Sequence, residues 1–182
     1  MGLERKLIRG ALALLLAAAI GLSACGSKRQ DADESKGTWK VRVTDASFPG
    51  RQRLADEVQL RIRVKNEDTR AIPNLAVTVD GFNMRKDTPG LSEHVRPVWV
   101  IDEGPVNATT AYTNTWAIGA VPAGQSRTLV WKVAAVRAGT YSVRWKVGAG
   151  LNGKAKAAED GQPPSGQFIA RVSDKTHPVK ID

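Results

Sequence analysis

Most residue types that do chemistry are scarce in this chain. Its 182 residues hold one cysteine, Cys25, and two histidines, His94 and His177. A lone thiol cannot close an internal disulfide, form a redox pair or build a cysteine-rich metal site, so it serves as a single attachment point. His177 stands beside Pro178 in the terminal stretch, where little can fix an imidazole, which leaves His94 as the histidine for a structured site. No Gly-x-Ser-x-Gly elbow occurs, and no Ser, His and Asp set has a spacing to support it. The carboxylates Asp80, Asp87, Glu93, Asp102 and Glu103 gather in one region but lack the one-three-five spacing of a calcium loop. Met84 and His94 together are too few to specify a copper site. The expectation is a protein with no catalytic residues, no metal and no other cofactor.

Cations and aromatics are better supplied. From residue 38 onward, 21 Lys and Arg stand against 14 Asp and Glu, a net +7. Lys40, Arg42, Arg61, Arg63, Lys65 and Lys132 each alternate with apolar neighbours, so a strand would place them on its polar side. Trp99, Tyr112 and Trp116, with Asn114 between them, are the material for an aromatic ledge that takes a sugar or a peptide; the alternative is that both tryptophans are core.

The elements that must position these residues read as strands. Trp39, Val41 and Val43 alternate with polar residues, and so do Val58, Leu60, Ile62 and Val64. The same period recurs at Leu75 to Val79, Leu129 to Val133, Tyr141 to Val147 and, more briefly, Phe168 to Val172. Turn signals separate them at Asn66-Glu67-Asp68, Ile72-Pro73-Asn74, Pro122-Ala123-Gly124 and Ala138-Gly139. No sustained helical period follows the first 25 residues. The pattern predicts an all-β, antiparallel two-sheet sandwich over 38–172, with a long insertion at 81–110 and a tail at 173–182. Within the insertion, Val98 to Ile101 is apolar enough to form a further strand or packed segment. If the strands follow an immunoglobulin-like order, the six basic residues share one sheet face, with no acid in that outward row to offset them.

The first 25 residues have a different layout. Arg5, Lys6 and Arg9 precede the apolar run Ala11 to Leu22, and small residues lead to Cys25, the arrangement of an export signal. The run is shorter than the about 20 residues a bilayer core requires. Leu22-Ser23-Ala24-Cys25 resembles the lipobox of bacterial lipoproteins, and that resemblance implies cleavage after Ala24 and lipid on Cys25. Two or more acyl chains then anchor the protein stably on the outer face of the membrane. Residues 25–37 contain no apolar side chain larger than alanine beyond the cysteine itself and read as a flexible tether, about 20 Å in random-coil reach.

A second resemblance lies in the mature part. Leu60 to Asn66, Ile72-Pro73-Asn74, Val77-Thr78-Val79, Pro122 to Ser126 and Ala138-Gly139-Thr140-Tyr141 resemble the bacterial immunoglobulin-like modules of the CARDB and DUF11 type, and the whole chain is similar to actinobacterial lipoproteins that carry one such domain. The resemblance implies the fold, with Tyr141 as a tyrosine corner, and it does not imply an activity. Glu67 and Asp68 depart from the pattern, which often has Gly two places after the Asn. Two functional expectations remain open. The first is a non-enzymatic envelope module that binds an anionic polymer or an acidic protein through the basic face. The second is a ligand- or carbohydrate-binding lipoprotein that uses the 81–116 region. An exported domain is a poor partner for nucleic acid.

Overall fold

The computed structural model describes residues 33–82, 85–87 and 95–175. Residues 1–32, Cys25 among them, and Met84, Glu93, His94 and His177 lie outside the described residues, as does the side chain of Asp87. The described chain is all strand and loop: β1 (Gly37–Ser47), β2 (Arg51–Arg53), β3 (Glu57–Asn66), β4 (Ala76–Asp80), β5 (Arg85–Asp87), β6 (Val95–Pro97), β7 (Trp99–Glu103), β8 (Thr109–Tyr112), β9 (Thr115–Ala117), β10 (Ser126–Ala135), β11 (Gly139–Gly148), β12 (Ala155–Ala158) and β13 (Ser165–Ser173). Every alternating segment in the sequence forms a strand, because each has one apolar side to bury.

Two main sheets result, ordered β12-β1-β3-β10-β7 and β2-β13-β11-β4-β9-β8, while β5 and β6 pair separately. Trp39, Val41, Leu60, Ile62, Val64, Leu129, Trp131 and Val133 of the first sheet and Val77, Val79, Val143, Trp145 and Val147 of the second are buried in one core. Strands β1-β3-β10-β7 opposite β13-β11-β4 reproduce, in chain order, the A-B-E-D and G-F-C sheets of an immunoglobulin domain. Tyr141, near the start of β11, donates its hydroxyl hydrogen to the Ala138 carbonyl at 2.7 Å, the tyrosine corner of that fold. The domain is an immunoglobulin-like sandwich.

Gly139 is required by that corner. Its φ is +144°, and a Cβ there would stand 2.8 Å from the Tyr141 hydroxyl. Asn66 closes the other end of the domain: its amide donates to the carbonyls of Arg70 and Val121, both at 2.9 Å, and its Oδ1 accepts from the Asp68 N–H at 2.9 Å. The bonds to Arg70 and Asp68 close the turn and the bond to Val121 ties it to the segment before β10, which explains an asparagine that is completely buried.

The structure departs from the sequence reading in three places. The further strand expected at Val98 to Ile101 does form, as β7, but it is an integral strand of the first sheet, paired with β10, so 81–110 is not simply an insertion. The antiparallel sandwich also gains two parallel edge strands, β12 beside β1 and β2 beside β13. Finally, the expected tether through Gly37 ends sooner. The Glu34 carboxylate accepts backbone N–H bonds from Leu151 and Asn152 at 2.7 Å and from Ala155 at 2.6 Å, so the chain is held to the domain three residues before β1. Burial opposes ionisation of Glu34, but the amides of Ala155, Asn152, Leu151 and Lys154 outweigh it and hold its carboxyl below the ordinary range. From Asp33 onward the described residues form one compact unit.

Candidate anion-binding face

Strand β3 lies at the centre of the first sheet, between β1 and β10, and its alternate side chains face out. The pleat therefore lines up Arg61, Arg63 and Lys65 on one outer surface. Pairing in register places Ser47, Asp45 and Arg42 of β1 on one side of these three, and Val130, Thr128 and Ser126 of β10 on the other. A β-bulge between Val43 and Asp45 tilts Thr44 and Asp45 toward Arg63. The three cations, with Thr44, Asp45, Ser126 and Thr128, surround a shallow concavity of about 400 Å³.

The six basic residues do share this face, but the expectation that no acid offsets them is overturned. Glu67 pairs with Arg42 at 2.9 Å and with Lys40 at 3.7 Å, Glu159 approaches Arg42 at 3.9 Å, and Glu103 pairs with Lys132 at 2.9 Å. Alternation along a strand says nothing about carboxylates that arrive from the turn after β3, from β7 and from beyond β12. The Arg42 guanidinium holds the Glu67 carboxyl below its usual range, and Glu103 raises the Lys132 ammonium. These pairs are exposed and screened, so they cancel charge more than they stabilise the fold. Among the described residues no ion pair engages Arg61, Arg63 or Lys65; Arg61 has only the amide oxygen of Gln59, at 3.4 Å. The least compensated part of the face is thus the row on β3, where three cations share the concavity with one carboxylate, Asp45.

The aromatic ledge is also corrected. Trp99 is buried against Phe48, Phe82 and Tyr141, with ring centroids 5.5 to 6.1 Å apart. Trp116 is buried in a different group, edge-on to Trp131 at 5.3 Å. Both rings fill the core because a thin two-sheet interior needs large side chains at its ends. Asn114 is the turn residue between β8 and β9: its φ is +61° and its carbonyl accepts the Val79 N–H at 2.8 Å. Tyr112 alone of the four is exposed, at 44 %. Among the described residues, no three His, Cys, Asp or Glu converge as a metal would require.

Neither a protein-family profile nor a curated protein matches the sequence. Among solved structures, the chain is similar to a CARDB domain from Pyrococcus furiosus, solved in complex with di-metal ions, at 12 % identity over 76 % of this chain and 93 % of that one, with a TM-score of 0.42. It is similar to native alpha-2-macroglobulin of E. coli at 15 % identity over 74 % of this chain and 7 % of that one, with a TM-score of 0.45. It is also similar to the ASH / PapD-like domain of human CEP192 at 10 % identity, over 75 % and 85 % of the two chains, with a TM-score of 0.42. The immunoglobulin-like assignment rests on strand order and the tyrosine corner.

Proposed function

We propose that this protein is a non-enzymatic module of the bacterial cell envelope, exported, lipidated on Cys25, and engaged through its β3 face with an anionic envelope polymer or an acidic protein. The observation that supports binding is the row Arg61, Arg63 and Lys65 at two-residue spacing, the two arginines exposed and Lys65 half-buried, and all three free of ion pairs among the described residues. Three cations in line along an extended strand repeat at about 7 Å, a spacing suited to a chain of charges more than to a single ion. Hydroxyls of Thr44, Ser126 and Thr128 at the rim offer neutral donors to the same ligand. Support for the anchor is in the sequence, where a short apolar run and small residues precede the sole cysteine.

The test is co-sedimentation of residues 33–182 with isolated cell envelope across a salt series. Binding that falls steeply once the Debye length drops below about 10 Å, and that is lost in Arg61→Glu with Arg63→Glu, is the expected result. Binding that persists through high salt in that variant would overturn the reading.

A further inference from the structure

At the other end of the domain a larger concavity, about 790 Å³, opens where β2 and β13 end. Its position follows from β1, which runs from Gly37, where the chain enters the sandwich, to Ser47, roughly 33 Å away at 3.3 Å per residue. Residues 48–50 then cross to the second sheet, and β2 joins its edge in parallel with β13. This pairing sets Arg51 directly beside Arg171 and Arg53 beside Ser173. Lys175 follows two residues later and lines the same space.

Like charges opposite one another on neighbouring strands repel. Among the described residues neither Arg51 nor Arg171 has an ion pair, although the backbone around them is closely tied. The Gln52 side chain between the two arginines of β2 is 4 % exposed; it accepts from Trp99 Nε1 and donates to the Pro49 carbonyl, both at 2.8 Å. Arg171 N–H donates to the Gly50 carbonyl at 2.9 Å, Leu54 N–H to Ser173 at 3.1 Å and Ala55 N–H to Ala135 at 2.9 Å. Ala55 is held at φ +65°, a conformation that a residue with a Cβ adopts only when its surroundings enforce it. The cations therefore project from a fixed frame, which lowers the entropy lost when they close on a ligand.

We propose that this concavity is a binding site for a phosphate monoester carried on a larger organic group. Arg51, Arg53, Arg171 and Lys175 face two carboxylates, Asp56 and Asp174, so the lining keeps two positive charges in excess. That excess matches the charge of a phosphate monoester, about −1.5 to −2 near neutral pH. Planar guanidinium forks on adjacent strands can each give two parallel N–H bonds to its oxygens. The volume falls within the range of small-molecule sites, about 300–1,000 Å³, and leaves room for the group that carries the phosphate. Polymer binding on the β3 face does not require this site, which is built from different strands and lies on the other sheet.

Phenyl phosphate titrated into residues 33–182, followed by backbone amide shifts at constant ionic strength, tests the site. Saturable shifts confined to residues 50–56, 138 and 171–175 are expected. Arg51→Gln with Arg171→Gln should weaken binding about tenfold or more, since both charged guanidinium forks are lost. Its melting temperature should not fall, because the substitution relieves a repulsion, and Arg61→Glu with Arg63→Glu should leave the affinity unchanged. Vesicles of phosphatidylcholine with and without phosphatidic acid separate the sources: competition by phosphatidic acid indicates a lipid headgroup, and its absence a soluble or polymer-borne monoester. No saturable shift, an unchanged affinity in the Arg51 and Arg171 variant, or shifts centred on residues 61–65 would each overturn the proposal.

Discussion

The indole N–H of Trp99 donates to the side-chain oxygen of Gln52 at 2.8 Å, across the gap between β7 of one sheet and β2 of the other. Both groups are buried, so each depends on the other for its hydrogen bond. Through this bond the edge of the first sheet fixes the short strand that presents Arg51 and Arg53.

Gln52→Leu should therefore destabilise the domain by about 1–3 kcal/mol, since it leaves the Trp99 N–H without its acceptor. Adding Trp99→Phe to it should cost less than the sum of the two single changes, because the orphaned donor is then absent. Urea denaturation of the single and double variants measures the coupling; strict additivity would show that the bond contributes nothing.

The corner at Tyr141 makes a graded prediction. Tyr141→Phe removes the bond to Ala138 and should cost about 1 kcal/mol. Gly139→Ala should cost more, since it strains the backbone at φ +144° and drives a methyl group against the tyrosine hydroxyl. Adding Tyr141→Phe to Gly139→Ala should recover only part of the loss, because the φ strain remains. Thermal melts of the three variants give the order.

Glu34 links stability to pH. Its folded carboxyl titrates below the ordinary range, so the stabilisation is complete above the unfolded value of about 4.3 and is lost as pH falls through the lower folded value. Glu34→Gln should lower the melting temperature at pH 7, with the gap to the unsubstituted protein closing below about pH 4. A gap independent of pH would mean that shape, and not charge, holds the segment.

The basic face separates into two groups of residues that substitution should distinguish. Arg61→Glu and Arg63→Glu remove cations without ion pairs among the described residues and should abolish salt-sensitive binding to envelope. Lys132→Glu acts on a charge already offset by Glu103 and should weaken binding less. Equal losses from all three in co-sedimentation would show that total charge, and not the β3 row, governs binding.

Alternation in the sequence was enough to locate β1, β3, β4, β10, β11 and β13, because a period of two specifies which side chains a sheet buries before the partner strand is known. The tyrosine corner was implied by the resemblance at Ala138-Gly139-Thr140-Tyr141, and it was legible because Gly139 and Tyr141 act within one short turn. Cross-strand neighbours were not legible in the same way. Glu67, Glu103 and Glu159 meet the basic face from separate parts of the chain, and Arg51 meets Arg171 across 120 positions. Glu34 gave no signal either, since its partners are backbone amides near residue 151, which carry no identity in sequence.

The sequence alone determined which faces are apolar, where turns fall, that no internal disulfide can form, and that the single cysteine follows a short apolar run. Those properties depend on neighbours along the chain. The tertiary structure decided which charges are neutralised, which tryptophans are buried, and which cations converge around a cavity. Those properties depend on the register between strands distant in sequence, and register emerges only when the two sheets close over one core.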